Sequence, residues 1–270
     1  MPVSTHPFDD AIALEAQADG SWSGATSPAY ANMVGPYGGI STAQTLNAVL
    51  CHPQRLGDPV AITINFCAAV SDGAFTVSAR PVRTNRSTQH WVVEMQQEGQ
   101  AVLTATVVTA VRRDTWGVDD EPMPDVPAPL DVATASAHAP LAFVSRYEIR
   151  PITGGLPLVW DGTGDTSLSR LWVRDHPARP LDFASLSAVS DIFFPRVFIR
   201  RSTPVPVGTV SMSIYFHADS KQLTQVGRGF LLGQARAQAF RNGYFDQTGQ
   251  LWSEDGVLLV TTHQLVYYKQ

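Results

Sequence analysis

Three polar side chains in the second half of the sequence lie where the surrounding pattern favours apolar or inward-facing residues. Asp191 lies in the run SAVSDIFFP, where an ionised carboxylate is costly unless it is paired or hydrogen-bonded. Thr209 opens the alternating segment GTVSMSIYFH on the face opposite Val210 and Met212, and Gln264 interrupts the segment LLVTTHQLVYY. A carboxylate can accept a proton, while hydroxyl and amide groups can hold a water molecule. Each residue alone also fits a structural role, as a solvated helix residue or an ordinary strand residue.

The motifs of several other enzyme classes are absent from the sequence. It contains no G-x-S-x-G, no G-x-x-x-x-G-K-[ST], no G-x-G-x-x-G and no H-E-x-x-H. The seven histidines are scattered without metal-ligand pairing, and Cys51 and Cys67 lie far from any C-x-x-C spacing. We therefore expect no metal and no cofactor, and we expect both cysteines to be reduced, buried and inert.

Composition limits the classes of partner. The chain has 270 residues, a formal net charge of −5 and a pI of about 5.7, without the basic cluster that nucleic acid requires. It has no apolar run of roughly 18 residues, the length that spans a bilayer. The first residues, MPVSTHPFDDAIALEAQ, lack the basic and apolar regions of an export signal. We expect a cytoplasmic protein that binds neither nucleic acid nor membrane.

One segment has the composition of a connector. Residues 112–140 are rich in Pro, Asp and Ala and show no helical or strand period. The sequence therefore predicts an N-terminal domain over residues 1–111, a linker over 112–140 and a C-terminal domain over 141–270. The C-terminal domain carries the three candidate catalytic residues.

The two predicted domains repeat one pattern. Apolar residues alternate with others over residues 60–70 and again over 210–216, which is typical of half-buried strands. The tetrapeptides TINF and SIYF in these strands match at an offset of 150 residues. Two further segments, 99–111 and 256–268, match as closing strands at an offset of about 156.

A helix precedes the first alternating strand in each half. The helices are predicted at Gly39–Leu50 and Leu181–Phe194, the second being stopped by Pro195. Hairpin turns are predicted at Thr84–Asn85 and Asn242–Gly243. Each half thus consists of a short strand, one long helix and a four-strand antiparallel meander. Because a helix that is apolar on most faces must be wrapped, the predicted fold is α+β, a tandem (double) hotdog in which each curved antiparallel sheet wraps around one long helix.

The second half resembles the bacterial type II acyl-CoA thioesterases, a double-hotdog family. The resemblance runs through SDIFFP, GTVSMSIYFH and EDGVLLVTTHQ, where such enzymes have an Asp, a Thr and a late Gln. In the first half, GPYGGISTAQTLNAV resembles the family's Gly-Gly entry to the helix, and VRTNRST resembles its Arg-rich hairpin turn. Two features depart from the family: the arginines at 196, 200 and 201, and Ser211 where relatives often have an acidic residue.

The resemblance implies hydrolysis of an acyl-CoA thioester by an activated water. Asp191 would act as general base or orient the water, and Thr209 and Gln264 would hold it. Backbone N–H groups at Gly38 and Gly39 would meet the oxyanion, since a helix N-terminus offers free donors. Arg86, in the hairpin turn, would lie near the phosphates of CoA.

Comparing the repeats predicts one active site per chain. The offsets place Thr209 opposite Pro59 and Gln264 opposite Val108, and alignment of the helices places Asp191 near Val49. None of these residues could replace its counterpart chemically, so the first half would supply walls of the acyl pocket.

Two other functions remain open at this point. The first is a non-catalytic acyl-CoA-binding module, which would bind ligand without turnover. The second is an acyl-CoA hydratase, which needs a paired His and acidic residue, whereas neither helix contains a His. Paired hotdogs also make a homo-oligomer plausible.

Overall fold

A computed structural model of the protein describes residues 6–135 and 141–269, so residues 1–5 and 270 and the end of the predicted linker, 136–140, lie outside it. The first half contains α1 (Pro7–Ala11), β1 (Glu15–Ala16), β2 (Trp22–Ala25), α2 (Gly38–Leu50), β3 (Asp58–Phe66), β4 (Ala74–Thr84), β5 (Thr88–Gln97) and β6 (Gln100–Ala110). The second half contains β7 (Tyr147–Thr153), β8 (Ser169–Asp175), α3 (Phe183–Val189), α4 (Arg196–Arg201), β9 (Val207–Phe216), α5 (Ser220–Val226), β10 (Leu231–Arg236), β11 (Phe240–Arg241), β12 (Tyr244–Ser253) and β13 (Leu258–Tyr268).

The strands form one continuous antiparallel sheet in the order β1-β2-β4-β5-β6-β3-β9-β13-β12-β10-β8-β7, with β11 added beside β12. The order in one half repeats that in the other, and the halves meet where β3 pairs with β9. At this junction Thr63 lies opposite Ser213, and their hydroxyl groups are 2.9 Å apart. These residues are 150 positions apart, the offset of the sequence repeat, so a pseudo-twofold axis passes between them. The double-hotdog prediction is confirmed.

The strand after each helix does not pair as the sequence suggests. A four-strand meander would place β3 beside β4, but β3 pairs with β6, and in the second half β9 pairs with β13. Only the three later strands of each half follow a meander. This arrangement brings the strand after each helix to the centre of the sheet, where it joins the two halves.

Helix α2 is predicted within one residue of its observed start. Its residues are almost all buried, since it packs against α3 and the inner face of the sheet. The threonine side chains that it buries find hydrogen-bond partners within the helix. The hydroxyls of Thr42 and Thr45 donate to the carbonyl oxygens of Gly38 and Ser41, 2.9 and 2.8 Å away. The helix can therefore be buried although its sequence is not uniformly apolar.

Helix α3 is shorter than predicted at both ends. It begins after Asp182, whose carboxylate accepts the N–H of Ser185 in a capping box, and it ends at Val189. Pro195 disfavours helical geometry only in Phe194, the residue before it, so it does not account for a helix end at Val189. Pro195 then caps the start of α4. The helix predicted at about Leu181–Phe194 is therefore present but shorter, and Asp191, predicted to lie in it, lies in the turn after α3.

Three smaller expectations can be compared with the structure. Both predicted hairpin turns form: the first covers residues 85–87, so that Thr84 belongs to β4, and the second lies at Asn242 and Gly243, both at positive φ. The expected burial of Cys51 and Cys67 is wrong, because both thiols are exposed and unpaired. In the described part of the chain, the helices are all too short or too polar to cross a membrane.

Candidate active site

Asp191 lies where the end of α3 meets the beginning of α2. Its carboxylate oxygen Oδ1 accepts a hydrogen bond of 2.8 Å from Nε2 of Gln264. The backbone N–H of Gly39, in the first turn of α2, also donates to this carboxyl group. A carboxylate at a helix N-terminus faces free N–H groups and the positive end of the helix dipole. The site is therefore built from both halves of the chain.

Burial dominates the electrostatics of Asp191. Although the residue as a whole keeps intermediate exposure, loss of hydration around the carboxyl group raises its pKa from 3.8 to about 7. The hydrogen bonds from Gln264 and Gly39 lower the pKa and oppose this effect in part. A carboxyl group with a pKa near neutrality can both accept and return a proton, which is what general acid–base catalysis requires.

A β-bulge turns Thr209 toward the site. In the pairing of β9 with β13, Met212 lies opposite Gln264 and Thr209 lies opposite Val266, with the register shifting in between. The extra residue is Val210, and it reverses the expected alternation. Thr209 therefore shares the inner face with Met212, and the sequence-based assignment to the opposite face is wrong.

Gln264 connects the other two residues. It is 4% exposed and faces inward from β13. Its Oε1 accepts a long hydrogen bond, 3.5 Å, from the hydroxyl of Thr209, while its Nε2 donates to Asp191. The same nitrogen lies 3.3 Å from the sulfur of Met212, which fills the space beneath the amide. The structure thus brings together the three residues that the sequence singles out.

Gly38 and Gly39 are close to the carboxylate for a steric reason. A Cβ on Gly38 would lie 2.8 Å from Oδ2 of Asp191, and one on Gly39 would overlap the carbonyl oxygen of Ala188 and the ring of Tyr37. Only glycine allows α2 to approach the end of α3 this closely. Tyr37, the residue before this pair, has no periodic signal in the sequence and was not predicted. Its contact partner on α3 is Ala188, which is distant in the sequence.

Arg86 is not brought to this cluster. It lies in the turn between β4 and β5. Thr88, the first residue of β5 after this turn, pairs with Ala110 at the end of β6. This is the end of the sheet at which α2 finishes, whereas Gly38 begins the helix, and 13 residues of α-helix span about 20 Å. Within one chain, Arg86 and the Asp191 cluster thus lie at opposite ends of α2.

The first half lacks the equivalent polar groups. It has the same bulge, because Pro59 lies opposite Thr109 and Ala61 opposite Val108, with Val60 as the extra residue. Pro59 is the counterpart of Thr209. Ile62 is the counterpart of Met212, which lies opposite Gln264. Because Ile62 lies opposite Val107, Val107 is the counterpart of Gln264, one residue from the Val108 that sequence alignment suggests. The match of Asp191 with Val49 does not hold either, since Val49 lies inside α2.

In the residues that the structure describes, no three His, Cys, Asp or Glu side chains are grouped so as to hold a metal ion. The cluster offers the carboxyl group of Asp191, the hydroxyl of Thr209 and the amide of Gln264, and together these groups can position a water molecule.

Two family models match the chain. Residues 27–110 match the model of the acyl-CoA thioesterase N-terminal domain, and residues 119–268 match that of the acyl-CoA thioesterase C-terminal domain. Among curated proteins, none matches the sequence.

Solved structures show the same fold. A conserved protein of unknown function with a hotdog fold from Alicyclobacillus acidocaldarius is 47% identical, with a TM-score of 0.94 and 99% of each chain covered. The TesB protein of Mycobacterium avium subsp. paratuberculosis is 17% identical, with a TM-score of 0.79, and 99% of this chain and 100% of that one are covered. Acyl-CoA thioesterase II TesB2 of Mycobacterium marinum is 14% identical, with a TM-score of 0.76 and coverage of 97% and 98%. At such low identity the last two show the fold alone.

Proposed function

This chain belongs to the acyl-CoA thioesterase family, and we propose that it hydrolyses an acyl-CoA thioester to the free acid and CoA by means of a water held at Asp191, Thr209 and Gln264. The observation that supports this proposal most is the carboxyl group of Asp191. It has a pKa of about 7, a hydrogen bond from Gln264 and a position at the N-terminus of α2. Its hydrogen-bond donors are neutral, so it can gain or lose a proton without breaking an ion pair.

In the proposed reaction the thioester carbonyl lies at the first turn of α2. Asp191 takes a proton from water as the water oxygen bonds to the carbonyl carbon. The negative charge on the carbonyl oxygen is met at the Gly38–Gly39 turn by the backbone N–H of Gly38, since that of Gly39 donates to Asp191. When the intermediate collapses, the carbon–sulfur bond breaks and the proton on Asp191 passes to the departing CoA sulfur. The carboxylate is thereby restored, and no cofactor is consumed.

The roles of Thr209 and Gln264 follow from their hydrogen-bonding capacity. Gln264 keeps one donor on Asp191 and its Oε1 toward Thr209. The Thr209 hydroxyl can donate to Oε1 and accept from water at the same time. Together they would hold the water on the side of the carboxylate from which it can attack.

The test is release of CoA from short, medium, long and aromatic acyl-CoAs by wild type and by Asp191→Asn. We expect the rate to fall by two or more orders of magnitude in the variant, the usual size of a general-base effect. Asp175→Asn is the matched control, because Asp175 is another buried carboxyl whose pKa is raised to about 7. It lies at the end of β8, beside Arg179 and without a hydrogen bond to Thr209, Gln264 or Gly39 in the described residues, so its variant should retain activity.

A non-catalytic acyl-CoA-binding module gives the opposite result. Such a protein would bind members of the panel, measured by calorimetry, without releasing CoA from any of them. Equal turnover by wild type and by a folded Asp191→Asn variant would also contradict the proposed mechanism.

A further inference from the structure

Tyr37 turns its side chain from the start of α2 toward the end of α3. Its hydroxyl donates a hydrogen bond of 2.6 Å to the carbonyl oxygen of Ala188. The ring is 3% exposed and stacks on Phe143, with centroids 4.4 Å apart and planes inclined by 6°. Its backbone N–H donates to the carbonyl of Tyr30 at 2.8 Å. Tyr37 is therefore held at its backbone, ring and hydroxyl.

The carbonyl of Ala188 is shared by three groups. Besides the Tyr37 hydroxyl, it accepts the backbone N–H of Asp191 at 3.2 Å. It also lies against the α-carbon of Gly39, where a Cβ would overlap it. Three groups thus meet at one oxygen atom: the side chain of Tyr37, the backbone of Asp191, and Gly39, whose N–H donates to the Asp191 carboxyl.

We propose that Tyr37 is a positioning residue, whose hydrogen bond to Ala188 holds the last turn of α3 against the first turn of α2 and so fixes the Asp191 carboxyl beside the N–H of Gly39. This inference rests on the proposed function, in which Asp191 is the general base.

The local structure shows why such a tie is needed. Helix α3 has only 7 residues, and the carbonyl groups of its last turn accept hydrogen bonds from the irregular residues that follow it rather than from a further helical turn. Asp191 follows it in an irregular turn, so the helix alone does not fix the carboxyl group. Small displacements of a catalytic group are costly to rate, and a hydrogen bond from the other half of the chain limits them.

The groups that face Asp191 are neutral. Its hydrogen-bond partners are the Gln264 amide and the Gly39 N–H, and the titratable side chains that interact with it are Tyr37 and Tyr147. Burial raises the pKa of both tyrosines well above 10.0, so both remain protonated at neutral pH. Removing the Tyr37 hydroxyl therefore changes geometry around Asp191 without removing a charge.

The test is Tyr37→Phe, which removes one hydroxyl and keeps the ring on Phe143. We expect kcat to fall about three- to tenfold, the effect of one net hydrogen bond, with KM within about twofold of wild type. Because the N–H of Gly39 lowers the pKa of Asp191, its poorer placement should move the acidic limb of the kcat–pH profile to higher pH. The shift should be a few tenths of a unit or more.

Tyr30→Phe is the matched control. Tyr30 is fully buried, and its hydroxyl has no hydrogen-bond partner among the residues that the structure describes. The control variant should keep the kcat and the pH profile of wild type. If both variants lost the same activity and neither shifted the profile, the effect would be general packing and the proposal would be wrong.

A second readout does not depend on turnover. The carboxyl resonance of Asp191 can be followed by NMR in protein labelled with ¹³C-aspartate, with Asp191→Asn to assign it. We expect a pKa of about 7 in wild type and a higher value in Tyr37→Phe. If wild type hydrolyses no acyl-CoA, the proposed function fails while this titration still tests the positioning role. An unchanged titration in a folded Tyr37→Phe variant would overturn the inference.

Discussion

At the residue scale, two buried carboxyl groups with a similar pKa have different surroundings. Burial raises the pKa of both Asp191 and Asp175 to about 7. Asp175 lies 4.0 Å from the guanidinium of Arg179, and its Oδ1 has no hydrogen-bond partner within the described ranges. Asp191 instead has two neutral donors. A raised pKa alone therefore does not distinguish a catalytic carboxyl from a structural one, and the partners must decide.

The hydroxyl of Thr209 can be tested with little change of shape. Thr209→Val should lower kcat about tenfold, because the water would lose one of its hydrogen bonds, and should leave the unfolding midpoint nearly unchanged. The comparison is Thr262→Val, also on the inner face of the sheet, whose buried Oγ1 has no partner in the described part of the chain. CoA release by the two variants checks the prediction, which fails if both behave alike.

At the element scale, the link between α3 and α4 is held by a buried cation. Arg196 is fully buried, and burial lowers its pKa to about 9. It donates to the carbonyl oxygens of Phe194 and Ser167 and, at 2.7 Å, to the hydroxyl of Ser169. The irregular segment that carries Asp191 is thereby fastened to the beginning of β8. A guanidinium is suited to this because its donors are fixed in a planar fork.

Replacing this cation should destabilise the protein. We expect Arg196→Met to lower the free energy of unfolding by roughly 2–4 kcal/mol, because buried carbonyl groups lose their donors. Arg200→Met is the control: Arg200 is exposed and makes one hydrogen bond, to the carbonyl oxygen of Gly164. It should change stability by less than about 1 kcal/mol. Urea titrations of both variants provide the measurement. Equal losses would show that the buried hydrogen bonds are not responsible.

At the scale of the whole molecule, the buried carboxyl groups make stability depend on pH. Asp191 and Asp175 have pKa values of about 7 in the folded protein and an ordinary value of 3.8. Between these values the unfolded chain binds fewer protons than the native one. Their contribution is therefore complete below pH 3.8 and is lost as pH rises to about 7.

This dependence can be isolated with a double variant. From about pH 5 to 8, wild type should lose roughly 2–3 kcal/mol of unfolding free energy for each of the two carboxyl groups. Asp175→Asn with Asp191→Asn should remove this loss, whereas the contribution of histidines remains in both proteins. Urea titrations across this range give the difference directly. Parallel curves for the two proteins would mean that neither carboxyl is shifted.

The sequence predicts the elements better than their long-range arrangement. Helix α2 and both hairpin turns are readable because periodicity and turn residues are local signals. The order of strands is not, since pairing of β3 with β6 and β9 depends on contacts far along the chain. The end of α3 was missed because its apolar residues continue past Val189, although the chain no longer follows a helix.

In the candidate site, too, the sequence indicates local features but not long-range contacts. Asp191, Thr209 and Gln264 can be singled out as polar residues in apolar surroundings, and the structure brings them together. The bulge at Val210 is invisible because the alternation is uninterrupted in sequence. Tyr37 is invisible because its partner, Ala188, lies 151 residues away. What the sequence cannot supply is the backbone irregularity and the contact between halves.

The same β-bulge occurs in both halves of the molecule, at Val60 and at Val210. At Val210 the irregularity turns a hydroxyl inward, but at Val60 it turns inward a proline, which offers no such group. The bulge thus repeats the same backbone shape in both halves, whereas the hydroxyl at this position is present in the second half alone. A chain built from two copies of the second half would accordingly carry an inward hydroxyl at both bulges.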